Sequence, residues 1–248
     1  MKRRTKQPSP KYFTIHHSPF LIHHSPFLIL NSLQMHPSKT HSNSLILNRT
    51  AAALKHNGFE TAVVENADEA RAFIVAAAQG AKTIGQCGSV TVIDLNVIPE
   101  LAKNAEILNH SAPDLTNEQR LEVMRRQQTC DLMICSANAI STNGEIVNID
   151  GVGNRVSASV FGPANILIVA GRNKIAEGGI AEALKRAKDS ACPTNAHRVG
   201  RTTTPCVKTG KCHNCDSPER ICRVTVIMER KPSRSDVTVL LVNEDFGF

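Results

Sequence analysis

Tryptophan is absent from this chain, tyrosine occurs once, and all aromatic residues together make up 4%. A core so poor in rings must rest on Ile, Leu, Val and Ala, as buried parallel strands commonly do. The same scarcity leaves no aromatic platform on which single-stranded nucleic acid could stack. No apolar run is long enough to span a bilayer. Nor is there a nucleophile elbow, an HExxH pair, a GxGxxG loop or a GxxxxGK[ST] loop. Acidic residues are missing from residues 1–34, which carry Lys2, Arg3, Arg4, Lys6 and Lys11. Of the formal net charge of +7, five charges sit there, leaving the remainder at about +2. The basic balance therefore points to neither a nucleic-acid nor a membrane partner.

What is present at the N-terminus is a duplication: IHHSPFL runs from Ile15 to Leu21 and again from Ile22 to Leu28. His-His pairs and prolines break the apolar run, so the segment reads as neither a signal peptide nor a membrane span. Its Pro, His and Ser content marks a disordered extension, with Met35 as an alternative start. Residues 35–248 are long enough for a single α/β domain with a sizeable core. With no export signal, a cytoplasmic, reducing setting is expected, in which the eight cysteines are thiols or ligands rather than a disulfide framework.

The body alternates. Residues 44–57 suit a helix stopped by Gly58, followed by a strand in FETAVVE. Residues 68–79 suit a second helix and 82–85 a second strand. Residues 116–128 suit a helix capped by Thr116, leading into the strand DLMIC at 131–135. The run ILIVA at 166–170 is a strand, 177–188 a helix, and 224–229 and 237–243 are closing strands. This order predicts an α/β fold with a Rossmann-like, mainly parallel sheet and an antiparallel margin.

The polar stretch Ser136 to Arg155, SANAISTNGEIVNIDGVGNR, lies between two apolar strands and looks like a site. Asn143-Gly144 predicts a two-residue type I′ hairpin, feeding a strand over Glu145 to Asp150. A period of two sets Ile146, Asn148 and Asp150 on one face and Glu145, Val147 and Ile149 on the other. Gly151 and Gly153 then let the backbone bend, placing Asn154 and Arg155 near Asp150. Asp150, Glu145 and Arg155 are the candidate catalytic groups, and Asn138, Asn143, Asn148, Gly151, Gly153 and Asn154 the candidate ligand contacts. A plain hairpin whose Asn and Asp residues bond their own backbone would carry the same composition.

Three further features carry chemistry. The loop GQCGSVT puts Gly85, Gly88, Ser89 and Thr91 at a strand-to-helix junction, where backbone amides and hydroxyls can cradle an anion. A simple βα turn would look the same, and Cys87 within it reads as a small buried residue. GRNKIAEGG places Lys174 at a strand's carboxyl end, where ligands of open sheets bind, although a solvated loop lysine is the alternative. Finally, Cys206, Cys212, Cys215 and Cys222 follow a Cx5Cx2Cx6C spacing within a cysteine-rich segment, 205–223. Four thiols so spaced suit zinc or an iron–sulfur cluster, with a redox thiol pair or unligated cysteines as alternatives. Cys130, Cys135 and Cys192 read as core residues.

These motifs together, with FGP at Phe161 to Pro163, GRNKI, and PCVKTGKCHNCDSPERICRVTVI, resemble the lactate-utilisation (LUD domain) family in its short form with a C-terminal cysteine motif. The resemblance covers about Asn43 to Phe248. It implies a fold of the ribose-5-phosphate isomerase, glucosamine-phosphate deaminase and CoA-transferase type. It also implies a part in oxidising lactate to pyruvate beside partners carrying iron–sulfur clusters and flavin. The family's loop usually reads GxGGSxT followed by Glu; here Cys87 replaces a glycine and Asp94 stands near the acidic position, and a Cβ at Cys87 narrows φ. The function expected is an accessory or subunit in organic-acid utilisation that meets a small anionic metabolite. The alternatives are an enzyme acting on a phosphorylated sugar or CoA thioester, and a ligand sensor without turnover.

Overall fold

A computed structural model describes residues 36–248, so the duplicated segment and the start at Met35 lie outside the described residues. The compact unit runs from Pro37 to Phe248. Its first half is α1 (Pro37–His56), β1 (Glu60–Val64), α2 (Ala67–Ala77), β2 (Thr83–Gln86), α3 (Val90–Asp94), α4 (Ile98–Leu101), β3 (Glu106–Asn109), α5 (Asn117–Arg126) and β4 (Leu132–Cys135). There follow β5 (Ala139–Ser141), β6 (Ile146–Asp150), α6 (Asn154–Phe161), β7 (Asn165–Gly171) and β8 (Ile175–Ala176). The chain ends with α7 (Ile180–Arg186), α8 (Cys192–Arg198), α9 (Pro205–Thr209), β9 (Val224–Met228) and β10 (Asp236–Val242).

Six strands form a fully parallel sheet in the order β1-β10-β7-β4-β2-β3. Alternation along each strand divides two cores between its faces. Met133, Cys135, Ile166, Ile168, Val237, Val239 and Leu241 pack with Leu47 and Leu54 of α1. Leu132, Ile134, Leu167, Val169, Leu240 and Val242 pack with Ile74 of α2 and with Val92 and Leu95 around α3. The helix–strand beat and the Rossmann-like parallel sheet are thus as expected. So is the Thr116 cap, whose hydroxyl accepts from Gln119 N at 3.3 Å while Gln119 Oε1 accepts from Thr116 N at 2.8 Å.

The antiparallel margin needs correction. β6 and β9 do not extend the main sheet but belong to a separate four-stranded sheet, β8-β5-β6-β9. β6 is buried along its whole length. Its Ile146 faces the core shared with α1, while Val147 and Ile149 face Ala183 of α7, Ala187 and Cys192. The parity expected of this strand therefore holds, because each face has its own core to meet.

The type I′ turn is a second correction. Ser141 N donates to Glu145 O at 2.9 Å and Gly144 N to Ser141 O at 3.0 Å, and only Gly144 of the loop is left-handed, at φ +86°. This is a three-residue loop in which a turn is followed by a glycine bulge. The helix expected at 177–188 starts later, at Ile180, and continues through a π-helical stretch, Ala187–Ala191, into α8. Pro193 explains the widening: it has no N–H, and its ring would clash with the carbonyl four residues back. The extension carries Asn195 and Arg198 past the end of the second sheet.

The winding places the site. From β2 the chain proceeds to β3 on one side, and from β4 it moves to β7 and β10 on the other. The two loops diverge to opposite faces at this switch point, which opens a crevice at the strands' carboxyl ends.

Gly144 meets α1 closely: a Cβ there would lie 2.6 Å from the Ala53 carbonyl carbon, and Asn57 Nδ2 donates to Gly144 O at 3.1 Å. Gly80 has a similar φ of +84° with nothing within 4 Å. Gly80→Ala is therefore expected to cost about 1 kcal/mol through φ alone. Gly144→Ala adds a clash with helix backbone, for a total of about 2–4 kcal/mol. Urea melts of the two variants check this, and equal losses would show that the hairpin tip does not press on α1.

Candidate functional site

The crevice holds a cavity of about 520 Å³. Its floor is a knot around Arg155. Asp150 closes β6, and Gly153, left-handed at φ +98°, turns the chain into α6. Asp150 Oδ1 accepts from Arg155 Nε at 2.9 Å and Nη2 at 2.7 Å, and Oδ2 accepts from Val156 N at 3.0 Å. Arg155 also donates to Asn138 Oδ1 at 2.8 Å, Ile149 O at 3.0 Å and Ser136 O at 3.2 Å. Burial opposes the charge on Arg155, but Asp150 outweighs that cost and holds the guanidinium above its ordinary range. Asn138 completes the knot: its N donates to Asn148 Oδ1 at 3.0 Å and its Oδ1 accepts from Ile149 N at 2.7 Å.

Above this floor lies a hydroxyl chain. Lys174 Nζ donates to Ser136 Oγ at 3.1 Å, Ser136 Oγ to Thr91 Oγ1 at 3.3 Å, and Thr91 Oγ1 to Phe246 O at 3.3 Å. Asp94, the residue near the family's acidic position, accepts from Gly247 N at 2.8 Å and so holds the C-terminal tail over this chain. Lys174 is 4% exposed, which removes the reading of a solvated loop lysine. Burial first, and the neighbouring Arg186 and Arg155 next, pull its ammonium down to about 7.

A third group lies along β2. Gln127 is fully buried, and its Nε2 donates to Gln86 O at 2.9 Å and Leu108 O at 2.8 Å. Its amide also meets His110 Nδ1 and the Cys87 thiol. Burial lowers the pKa of His110 and raises that of Cys87 well above the usual thiol range, so Cys87 stays protonated.

The fourth wall comes from the cysteine-rich segment. Arg223 N donates to Asp150 O at 2.9 Å, and a Cβ on Gly151 would stand 2.9 Å from Ile221 O. Gly151 is what lets the segment lie across the DGVGNR loop. Arg220 ties the segment together by donating to Cys215 O at 2.7 Å and Cys222 O at 2.9 Å.

The structure thus brings Gly88, Ser89, Asn138, Asp150, Gly151, Asn154, Arg155 and Lys174 to one cavity, with Thr91 behind Ser136. Other expected residues stand elsewhere. Gly85 is a packing glycine, since a Cβ would lie 2.9 Å from Cys130 Sγ. Asn143 and Glu145 are at the far end of the hairpin, where Asn143 O accepts from Asn57 and Glu145 accepts from Ser141 Oγ. Asn148 is fully buried beneath the knot. Among the described residues no group of three or more His, Cys, Asp or Glu side chains is arranged to hold a metal ion. Cys206, Cys212, Cys215 and Cys222 are each half-buried, and their thiols are not gathered into one set.

Sequence reasoning missed Ser136, His110, Gln127, Arg198, Arg201 and the C-terminal tail. Only Ser136 carried a signal, as the first polar residue after a buried strand at the sheet's carboxyl end.

A Rossmann-like α/β fold with a cation-lined cavity at its switch point is the class these features define. Residues 47–242 match the family described as LUD domain, and the chain belongs to it. It is similar to the crystal structure of a DUF162 family protein from Deinococcus radiodurans, at 14% identity over 81% of this chain and 98% of that one, with a TM-score of 0.44. No curated protein matches it. Among the described residues no helix is long and apolar enough to cross a membrane.

Removing one partner of a buried ion pair leaves the other uncompensated, so Asp150→Ala is expected to cost about 3–5 kcal/mol. That is a fall in Tm of roughly 6–20 °C for a chain of this size, and a calorimetric scan reads it. An unchanged Tm would remove Asp150 from the centre of the knot. In the folded protein the four motif cysteines should alkylate before the buried Cys130 and Cys135, as peptide mapping after brief iodoacetamide treatment would show. Protection of all four that a chelator relieves would show that they hold a metal.

Proposed function

We propose that this LUD-domain protein binds and acts on an organic anion within lactate or related organic-acid utilisation, working beside redox partners that carry flavin or iron–sulfur clusters. One observation carries the reading. Arg155, Arg198, Arg201, Arg220 and Arg223 line the cavity, whose side-chain carboxylates are Asp150 and Glu219. Both carboxylates are already engaged, Asp150 by Arg155 and Glu219 by Thr202 N at 3.0 Å, Thr203 N at 2.7 Å and Thr203 Oγ1 at 2.6 Å. Among the described residues Arg198, Arg201, Arg220 and Arg223 form no ion pair, and a bound anion would supply one. Ser136, Asn138 and Asn154 add the polar contacts that fix orientation.

The cavity's size favours a second reading. At about 520 Å³ it has room beyond a three-carbon acid. The arginines at 198, 201, 220 and 223 lie on elements separate from the Arg155 knot, as a second anionic group would need. A phosphorylated sugar or a CoA thioester has that chemistry.

Thermal shift against lactate, pyruvate, sugar phosphates and CoA distinguishes the readings. A ligand at one hundred times its Kd adds about 2.7 kcal/mol of stability. The double variant Arg198→Glu, Arg201→Glu should weaken the larger anions at least 10-fold and leave the small acids nearly unaffected. A panel in which no anion raises Tm at low ionic strength would overturn the proposal.

A further inference from the structure

Lys174 is the buried cation that the proposed binding function does not explain. It lies at the carboxyl end of β7, in a 3₁₀ turn, Arg172–Lys174, and it borders the cavity. Among the described residues it takes part in no ion pair, and its Nζ donates to the Ser136 hydroxyl at 3.1 Å. Arg155 reaches the carbonyl of the same Ser136 at 3.2 Å, and Arg186 donates to Asn138 O two residues on. Three cationic side chains therefore surround residues 136–138. The side-chain carboxylates nearby are Asp150, engaged by Arg155, and Asp94, which accepts from Gly247 N at 2.8 Å.

An ammonium meant only to attract an anion gains nothing from being crowded by two guanidiniums. Crowding and burial together favour the neutral amine, whose lone pair is a nucleophile. We infer that Lys174 is a covalent group, condensing through Nζ with the carbonyl carbon of an anionic aldehyde or keto acid whose negative group is held by the cavity's arginines. The C–N bond forms as the carbonyl π pair moves onto oxygen, and one amine proton passes to that oxygen. The carbinolamine C–O bond then breaks, the second amine proton leaves with it as water, and the nitrogen lone pair makes the C=N bond. One carbonyl compound and one amine give one imine and one water, and nothing is oxidised or reduced. The Ser136 hydroxyl, bonded to Nζ on one side and Thr91 on the other, stands where those protons must be relayed. The depressed pKa of Lys174, about 7, leaves a large fraction of free amine at neutral pH.

This inference rests on the anion-binding reading and deepens it by naming the substrate as a carbonyl compound. The test incubates the full chain with pyruvate, glyoxylate or pyridoxal 5′-phosphate, with and without cyanoborohydride, and maps adducts by peptide mass spectrometry. The expected result is a reductant-dependent adduct on the Lys174 peptide, formed ahead of any on the exposed Lys103 and Lys185 and suppressed by inorganic phosphate. Lys174→Arg should lose it. Ser136→Ala should slow its formation at least 10-fold. Mapping in the unaltered chain decides the matter even where a variant fails to fold. Adducts confined to surface lysines would overturn the inference while a phosphate-induced Tm rise kept the binding reading. Loss of both signals would overturn the two together.

Discussion

Arg155 is the side chain on which the arrangement of the cavity depends, because its five donors reach three separate pieces of chain. It meets the end of β6 through Asp150 and Ile149 O, and the exit of β4 through Ser136 O and Asn138 Oδ1. Through Asp150, which also caps Val156 N, it meets the start of its own helix. A guanidinium is suited to this task because its planar fork fixes the directions of every bond it makes. The knot couples the two sheets: β4 belongs to the parallel sheet and β6 to the small one. With side-chain exposures of 16% and 9%, the pair is well shielded from water, which raises both its strength and the cost of breaking it.

Seen from the knot, the remaining parts of the site are consequences of chain direction. β2, β4 and β7 are neighbours in the parallel sheet and all end on the same side. Their exits deliver the Gly88-Ser89 loop, Ser136 and Lys174 to one rim. The second sheet supplies Asp150 from β6, and the chain entering β9 supplies Arg220 and Arg223. The cavity is therefore a seam between two sheets. Its charge is set by which loops end there, while the interior of each sheet stays apolar.

Much of this was legible in the sequence where a local rule and the tertiary structure agreed. The strands DLMIC and ILIVA are apolar on both faces because both faces are covered. Thr116 and Gln119 form a capping box that needs no distant partner. Strand parity in β6 survived because each of its faces meets a core. The misses have the opposite character. Asn143 and Glu145 share a polar segment with Asp150, yet β6 carries them to its other end, a separation that composition cannot express. Gly85 reads like its neighbour Gly88, but Gly85 answers to Cys130 and Met133 across the core, which are distant in sequence. Arg198 reached the cavity only because Pro193 widened a helix expected to stop ten residues earlier. The four cysteines have suggestive spacing, but spacing fixes only contour length. What the structure adds is the backbone: the carbonyls of Cys215 and Cys222 accept from Arg220.

Local consistency is the ordinary condition of a folded chain, and departures from it collect where something other than stability is served. In this protein the departure is one of charge. Three cations surround the three-residue link between β4 and β5, and the nearby side-chain carboxylates are already committed. Relief by rearrangement is blocked. Arg186 is held by Asn173 O at 2.8 Å, Arg155 by the knot, and Lys174 by burial and the tail that Asp94 pins. The remaining ways to lower the field are to deprotonate the strongest acid of the three or to admit an anion from outside. Lys174 is that acid, and its side chain borders the cavity from which the anion would come. A ligand carrying both a negative group and an electrophilic carbon would use both outlets at once: the anion neutralises the arginines while the amine meets the carbon.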